Sequence, residues 1–227
     1  MIDTVSSSAH RILESFSTTR GLVGWVDVLG VRSMPEDRRN LLYDSIAKFL
    51  PDYSTNYFKS GEKRFPVNET NSLIVGDSLC ITQSSESGGS RLFVVQTTLV
   101  FSQYLFSAGF SHRGYLTQGS YRADHPINGL PFITGKAIID AVNNEESLKF
   151  VGIGIDRSAL HEFTRLRGRI GNVYWTKDPV FGSKYHLASS ELHFSRWRSY
   201  CNEHYTEHPY IAAAKTMIEQ TSIWDMS

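Results

Sequence analysis

The sequence predicts an α+β fold: a central, mostly antiparallel sheet with flanking helices, followed by a C-terminal extension. Three observations carry that reading. Apolar runs of strand length alternate with amphipathic segments of helix length between Leu22 and Asp156. The pair Gly76-Asp77 divides two apolar runs and leaves room only for a tight hairpin turn. Helical periodicity returns between the strand runs, so the chain folds back repeatedly onto one sheet.

The elements follow in order. After an amphipathic opening helix, "LVGWVDV" (Leu22 to Val28) is a strand buried on both faces, ending at Leu29-Gly30. Ser33-Met34-Pro35-Glu36 predicts a helix start, with an N-cap hydroxyl, a proline in the first turn and a glutamate three residues past the cap. That helix runs to about Leu50, where Pro51 stops it. A polar loop dotted with aromatic residues, Asp52 to Thr70, leads into the hairpin "LIVGDSLCITQ". A long helix from Arg91 to Ala108 places Leu92, Val95, Leu99 and Phe106 at helical spacing. "SHRGYLTQGSY" alternates as one strand, or as two joined at the glycines; Thr134 to about Asn144 is helical; Leu148 to Asp156 is a buried strand. The resulting order, β-α-β-β-α-β-α-β, is that of a ferredoxin-like sandwich over about residues 20–160. Residues 161–227 are expected to pack on it as an extension of a single domain, 1–227, with a helix from Pro209 to Gln220.

Composition removes several function classes. Lys plus Arg equals Asp plus Glu at 23 each, so no broad basic field exists for nucleic acid or an anionic membrane. Cys80 and Cys201 form neither a disulfide framework nor a zinc spacing. No apolar run reaches the ~18 residues of a membrane span, and the N-terminus lacks a signal-peptide layout; the expected location is cytoplasmic. The histidines in "HEFTRLRG" and "NEHYTEHPY" miss the HExxH register, and Arg165 to Arg169 reads as an exposed basic patch.

Two acids carry the chemistry. Asp27 lies at the end of the first buried strand, where a carboxylate costs several kcal/mol (order of magnitude) unless paired or metal-bound. Asp77 lies at the hairpin tip, and strand and hairpin are neighbours in this topology, so the two acids converge on one sheet edge. Two aspartates and a backbone carbonyl suit magnesium or manganese, hard cations that keep positions open for phosphate and water. The loop Val28 to Arg32 and the helix start beyond it offer amides to a triphosphate. Together these predict metal-assisted nucleotidyl transfer.

These stretches resemble the class III nucleotide cyclases. "VDVLGV" is similar to their first-strand motif and "VGDSLCI" to their metal-binding hairpin; "HRGYLTQGSY" and "ITGKAIIDAVNNEE" are similar to the strand and helix that follow. The resemblance covers Leu22 to Asp156. It implies that Asp27 and Asp77 hold two Mn2+ or Mg2+ ions per site, with the Val28 carbonyl on the second ion. It also implies that the amides of Leu29, Gly30 and Val31 hold phosphates, and that a homodimer completes the site.

Departures sharpen the expectation. Where purine cyclases place a base-reading lysine this chain has Leu73, and Phe132 stands at the polar base reader. Ile139 and Asn143 occupy the places of the ribose-orienting asparagine and the transition-state arginine. That combination resembles the short pyrimidine cyclases of bacterial Pycsar antiphage systems, which make cyclic UMP or cyclic CMP for a separate cyclic-nucleotide-binding effector. The resemblance implies UTP first and CTP second as substrate. Phe132, Tyr57, Phe58 and Phe65 are expected to narrow the base pocket, and Arg113 to face the base or a phosphate. The rivals are a purine cyclase with another mode of base recognition and an inactive cyclase-like module that binds nucleotide or a protein partner.

Overall fold

The computed structural model describes residues 19–56, 70–83, 88–127, 130–159, 172–177, 184–189, 191–219 and 222–223. The expected opening helix, the aromatics Tyr57, Phe58 and Phe65, and the Arg165 to Arg169 run lie outside these residues. The strands are β1 (Thr19–Val28), β2 (Thr70–Val75), β3 (Ser78–Gln83), β4 (His112–Ile127), β5 (Leu130–Thr134), β6 (Gly152–Ile155), β7 (Asn172–Lys177), β8 (Lys184–Ser189) and β9 (Ser222–Ile223). The helices are α1 (Glu36–Asn56), α2 (Gly88–Ser107), α3 (Lys136–Ser147), α4 (Glu191–His204) and α5 (Pro209–Glu219). One sheet runs β2-β3-β1-β4-β6-β8-β7-β9, with β5 paired to the far half of β4. Among the described strands only β4 and β6 pair in parallel; every other pair is antiparallel. This is the expected α+β architecture. No helix among the described residues is long and apolar enough to cross a membrane.

β1 is central because both of its faces are apolar. Leu22, Val26 and Val28 pack under Leu42, Ile46 and Phe49 of α1 and Val94, Leu99 and Phe101 of α2. Each such side chain, fully buried, stabilises the fold by about 1.5–3 kcal/mol. On the opposite face Val23 meets Cys80 and Tyr121 beneath Ala137 and Ala141 of α3. α3 sits close because small residues line the contact: a Cβ on Gly119 would lie 3.1 Å from that of Ala137. α4 and α5 build a second core, in which Trp197, Tyr200, Ile211 and Met217 surround Leu148, Phe150 and Phe106.

Several boundaries depart from expectation. α1 does not stop at Pro51 but continues to Asn56. Proline withholds a donor from the carbonyl four residues back; that residue, Ala47, is exposed, so water can satisfy it. Ser33 is not an N-cap: it closes a 3-10 turn, Val31–Ser33, and its hydroxyl donates to the Gly30 carbonyl at 3.0 Å. β4 passes its glycines without a break, and β6 is confined to Gly152–Ile155. The preceding backbone is diverted, since the Leu148 amide caps α3 on Glu145 O (2.9 Å) and the Val151 amide donates to Tyr210 O (3.3 Å). Beyond Asp156 the chain adds strands β7 to β9 to the same sheet as well as helices.

A buried polar chain ties α2, β4 and α4 together. Ser102 Oγ lies 2.5 Å from His112 Nε2 and 2.8 Å from His193 Nε2, and His112 Nδ1 is 3.1 Å from Phe110 O. A carbonyl only accepts, so His112 carries its proton on Nδ1 and accepts from the Ser102 hydroxyl, which in turn accepts from His193. Burial pushes His112 down to about 4 and His193 down to about 3. Both rings are therefore neutral when folded but charge readily when unfolded. Their contribution to stability is complete above about pH 6.5 and is lost as pH falls below it. His193→Gln keeps a donor for Ser102 and should abolish about 2 kcal/mol of the stability lost between pH 7 and pH 5. Glu145 works in the opposite sense, because its raised carboxyl takes up a proton more readily folded than unfolded. Thermal melts at the two pH values provide the check; an unchanged pH response in the variant would count against the buried neutral pair.

Candidate active site

Asp27, the penultimate residue of β1, stands directly opposite Ser78 of β3 and Arg113 of β4. Residues opposed in this way point to one face, so the Asp27 side chain leaves the sheet between those of Ser78 and Arg113. Ser78 Oγ donates to Asp27 Oδ1 at 2.5 Å, which leaves Oδ2 without a protein partner among the described residues. The hairpin is pinned alongside, since the Val28 amide donates to the Asp77 carbonyl at 3.3 Å. Gly76 makes the tight reversal at φ 63°, a backbone region glycine enters without cost. The two expected acids are thus brought to one end of the sheet.

Burial raises the Asp27 carboxyl above the usual range, and the Ser78 hydrogen bond pulls partly back. The neighbouring charges of Asp77 and Glu146 raise it further, while that of Arg113 lowers it. A half-buried carboxylate crowded by other acids and holding a free oxygen is a fitting donor for a hard divalent cation. The residues present fit Mg2+ or Mn2+: Asp27 and Asp77 with the Val28 backbone between them.

The loop after β1 completes this end of the sheet. Leu29 N–H donates to Ser111 O at 2.9 Å, so that amide is engaged by the protein. Gly30 turns at φ 75°, and the amides of Gly30, Val31 and Arg32 meet no backbone acceptor among the described residues. Free amides ahead of a helix, next to two acids, can hold phosphate oxygens.

No family model and no curated protein matches the sequence. Solved structures do match. The guanylyl cyclase Cya2 superposes with a TM-score of 0.52 at 10% identity, over 75% of this chain and 91% of that one. The adenylyl cyclase CyaB from P. aeruginosa gives 0.51 at 12%, over 77% and 97%. The monomeric guanylyl cyclase domain of the RhoGC fusion protein from the aquatic fungus Blastocladiella emersonii gives 0.52 at 13%, over 77% and 98%. The chain has the class III nucleotide cyclase fold.

Within this cyclase fold the remaining predicted residues do not all meet. Leu73 is half-buried against the Val23, Cys80 and Tyr121 cluster, one side-chain row from Asp27. Phe132 lies on β5 opposite Asp124, which is roughly 35 Å along β4 from the Arg113 position at ~3.3 Å per residue. Ile139 is 59% exposed and Asn143 is also exposed on α3. Arg113 is held by protein: its Nε is 2.7 Å from Glu145 Oε1, and Nη1 donates to Leu148 O at 2.9 Å. Ser78 and Glu145 escaped the sequence analysis. Ser78 was legible as the residue beside Asp77 that hairpin register turns toward β1. Glu145 sits in the polar run "NNEES", where nothing local signals that one acid is buried.

Proposed function

We propose that this protein is a divalent-metal-dependent nucleotide cyclase that converts a pyrimidine nucleoside triphosphate, UTP before CTP, to its 3′,5′-cyclic monophosphate and pyrophosphate. The observation that carries the proposal is the placement of Asp27 opposite Ser78 in the β1–β3 register, with Asp77 in the adjoining hairpin turn bonded through its carbonyl to the Val28 amide, beside the loop amides of Gly30 and Val31. In this reaction the ribose 3′-hydroxyl attacks the α-phosphorus and pyrophosphate leaves. Asp27, Asp77 and the Val28 carbonyl would hold Mn2+ or Mg2+, which when bound neutralises phosphate charge and acidifies the attacking hydroxyl. The chain itself keeps Asp27 oriented through Ser78 and directs loop amides toward the triphosphate.

The pyrimidine reading rests on Leu73 and Phe132, hydrocarbon side chains that cannot hydrogen-bond a purine. Losing a matched polar contact in a dry pocket costs about 1–3 kcal/mol, a ten- to hundredfold discrimination. The resemblance to short antiphage cyclases extends the proposal to a second-messenger synthase whose product a separate effector reads. The separation of Phe132 from Asp27 within one chain favours a homodimer, in which a second copy supplies the base-facing wall. Light scattering of the active protein should give twice the monomer mass; full activity as a monomer would rule out shared sites.

Incubation with each of the four triphosphates and Mn2+, followed by mass spectrometry, tests the function. Cyclic UMP is the expected main product. A preference for ATP or GTP would end the pyrimidine reading. A second reading, an inactive cyclase-fold module that binds nucleotide, is favoured by the exposed Ile139 and Asn143; absence of cyclic product from all four substrates would select it.

A further inference from the structure

An arginine stands directly opposite Asp27 in the β1–β4 register, yet the two form no ion pair. An unpaired, half-buried carboxylate facing a guanidinium is unusual, since such groups ordinarily close on one another. Here Arg113 is drawn the other way. Its Nε sits 2.7 Å from Glu145 Oε1, a close ion pair with the N–H directed off the line to the oxygen. Nη1 donates to Leu148 O at 2.9 Å and reaches Glu146 O at 3.4 Å, so the guanidinium caps the carbonyl end of α3. Tyr210 of α5 covers it, with the guanidinium carbon 5.6 Å from the ring centre. The pocket is tight: the side chains of Arg113 and Glu145 are 12% and 3% exposed.

We propose that Glu145 is a positioning residue that diverts Arg113 from Asp27, so that Asp27 stays open to a divalent cation. The inference rests on the reading of Asp27 as a metal ligand and adds a reason why its facing arginine does not neutralise it. The C-terminal extension takes part through Tyr210, which closes the diverted guanidinium under an aromatic ring. Without Glu145 the carboxylate facing Arg113 across the strand pair is that of Asp27, and arginine and metal compete for the same oxygens.

The test is Mn2+ binding to the full chain, followed by electron paramagnetic resonance of free Mn2+ without nucleotide. Glu145→Gln should weaken Mn2+ binding about tenfold, the effect of one charge-assisted contact. Arg113→Met should bind Mn2+ no more weakly than the parent, because the competitor is gone. The double variant, with both buried charges removed, should return to within about twofold of the parent. That rescue separates diversion from a packing role, since loss of packing would not be repaired by a second substitution. If the parent binds Mn2+ in a manner that Asp27→Asn abolishes and Glu145→Gln leaves unchanged, the diversion is wrong while the metal site stands. Loss of binding in Arg113→Met would overturn it equally. If Asp27→Asn does not alter Mn2+ binding, the metal reading fails and the inference falls with it.

Discussion

Asp27→Asn and Asp77→Asn are each expected to lower cyclic nucleotide synthesis by about a thousandfold or more, the scale at which removing one preorganised charge group acts. Asparagine keeps the size of aspartate and can still accept the Ser78 hydrogen bond at its oxygen. What it loses is the charge that would hold a metal. The two variants should nevertheless remain folded. The Asp27 carboxyl is raised by burial and by the charge of Asp77, so ionisation at neutral pH costs the folded state stability. Asp27→Asn removes that cost and should melt no lower than the parent at pH 7, while the proposed turnover of a nucleoside triphosphate with Mn2+ should disappear. Near-normal synthesis by either variant would break the metal assignment. A large loss of stability in Asp27→Asn would mean that the charge serves the fold instead of the reaction.

Gly135→Ala is expected to give the largest loss of stability among single glycine-to-alanine substitutions at the turns and helix ends. Gly135 precedes α3 at φ 136°, a backbone region that L side chains rarely adopt. A Cβ there would also lie 2.5 Å from Tyr121 Cα and 2.8 Å from Ser120 O. Both obstacles are backbone, so relief requires α3 to move off β4. Strain and overpacking together should cost about 2–5 kcal/mol, or roughly 10 °C in melting temperature for a chain of this size. Gly76→Ala provides the control. Its φ of 63° is also positive, but nothing lies within 4 Å of the added Cβ, so it should cost only about 1–2 kcal/mol. Equal melting of the two variants would show that the α3–β4 contact is looser than these distances imply.

The displacement of α3 has a functional corollary. Its first turn rests on Tyr121, and its last turn carries Glu145 and the carbonyls that hold Arg113. One rigid helix thus links the packing seam at Gly135 to the surroundings of Asp27. Gly135→Ala should disturb Mn2+ binding as well as stability, whereas Gly76→Ala changes only the hairpin backbone next to Asp77.

The elements legible in the sequence are those specified by local chemistry. β1 announces itself by an apolar run at both parities, and the hairpin by Gly76-Asp77 between two such runs. α2 is visible in its helical spacing, and Asp27 as an acid with no local reason to be there. Their order along the chain is enough to predict the α+β sandwich and to put the two acids at one end of the sheet, because strand pairing across a tight turn is a near-neighbour property. Boundaries were harder. Pro51 is a helix breaker only when the carbonyl it leaves unpaired cannot reach water, and Ala47 is exposed. Ser33 is a cap only when the chain enters the helix at its own position, and a 3-10 turn displaces that entry to Pro35.

By itself, then, the sequence determined which residues could carry charge into an apolar strand, and that Asp27 and Asp77 would share an end of the sheet. Tertiary structure alone decided what faces them. Ser78 becomes the partner of Asp27 because the β1–β3 register opposes the two. Arg113 becomes the partner of Glu145 because the end of α3, 32 positions away in sequence, is packed over β4. The physical reason is range. Propensity and periodicity act within a few residues, whereas the choice a guanidinium makes between two carboxylates depends on differences of a few ångströms fixed by packing between distant segments.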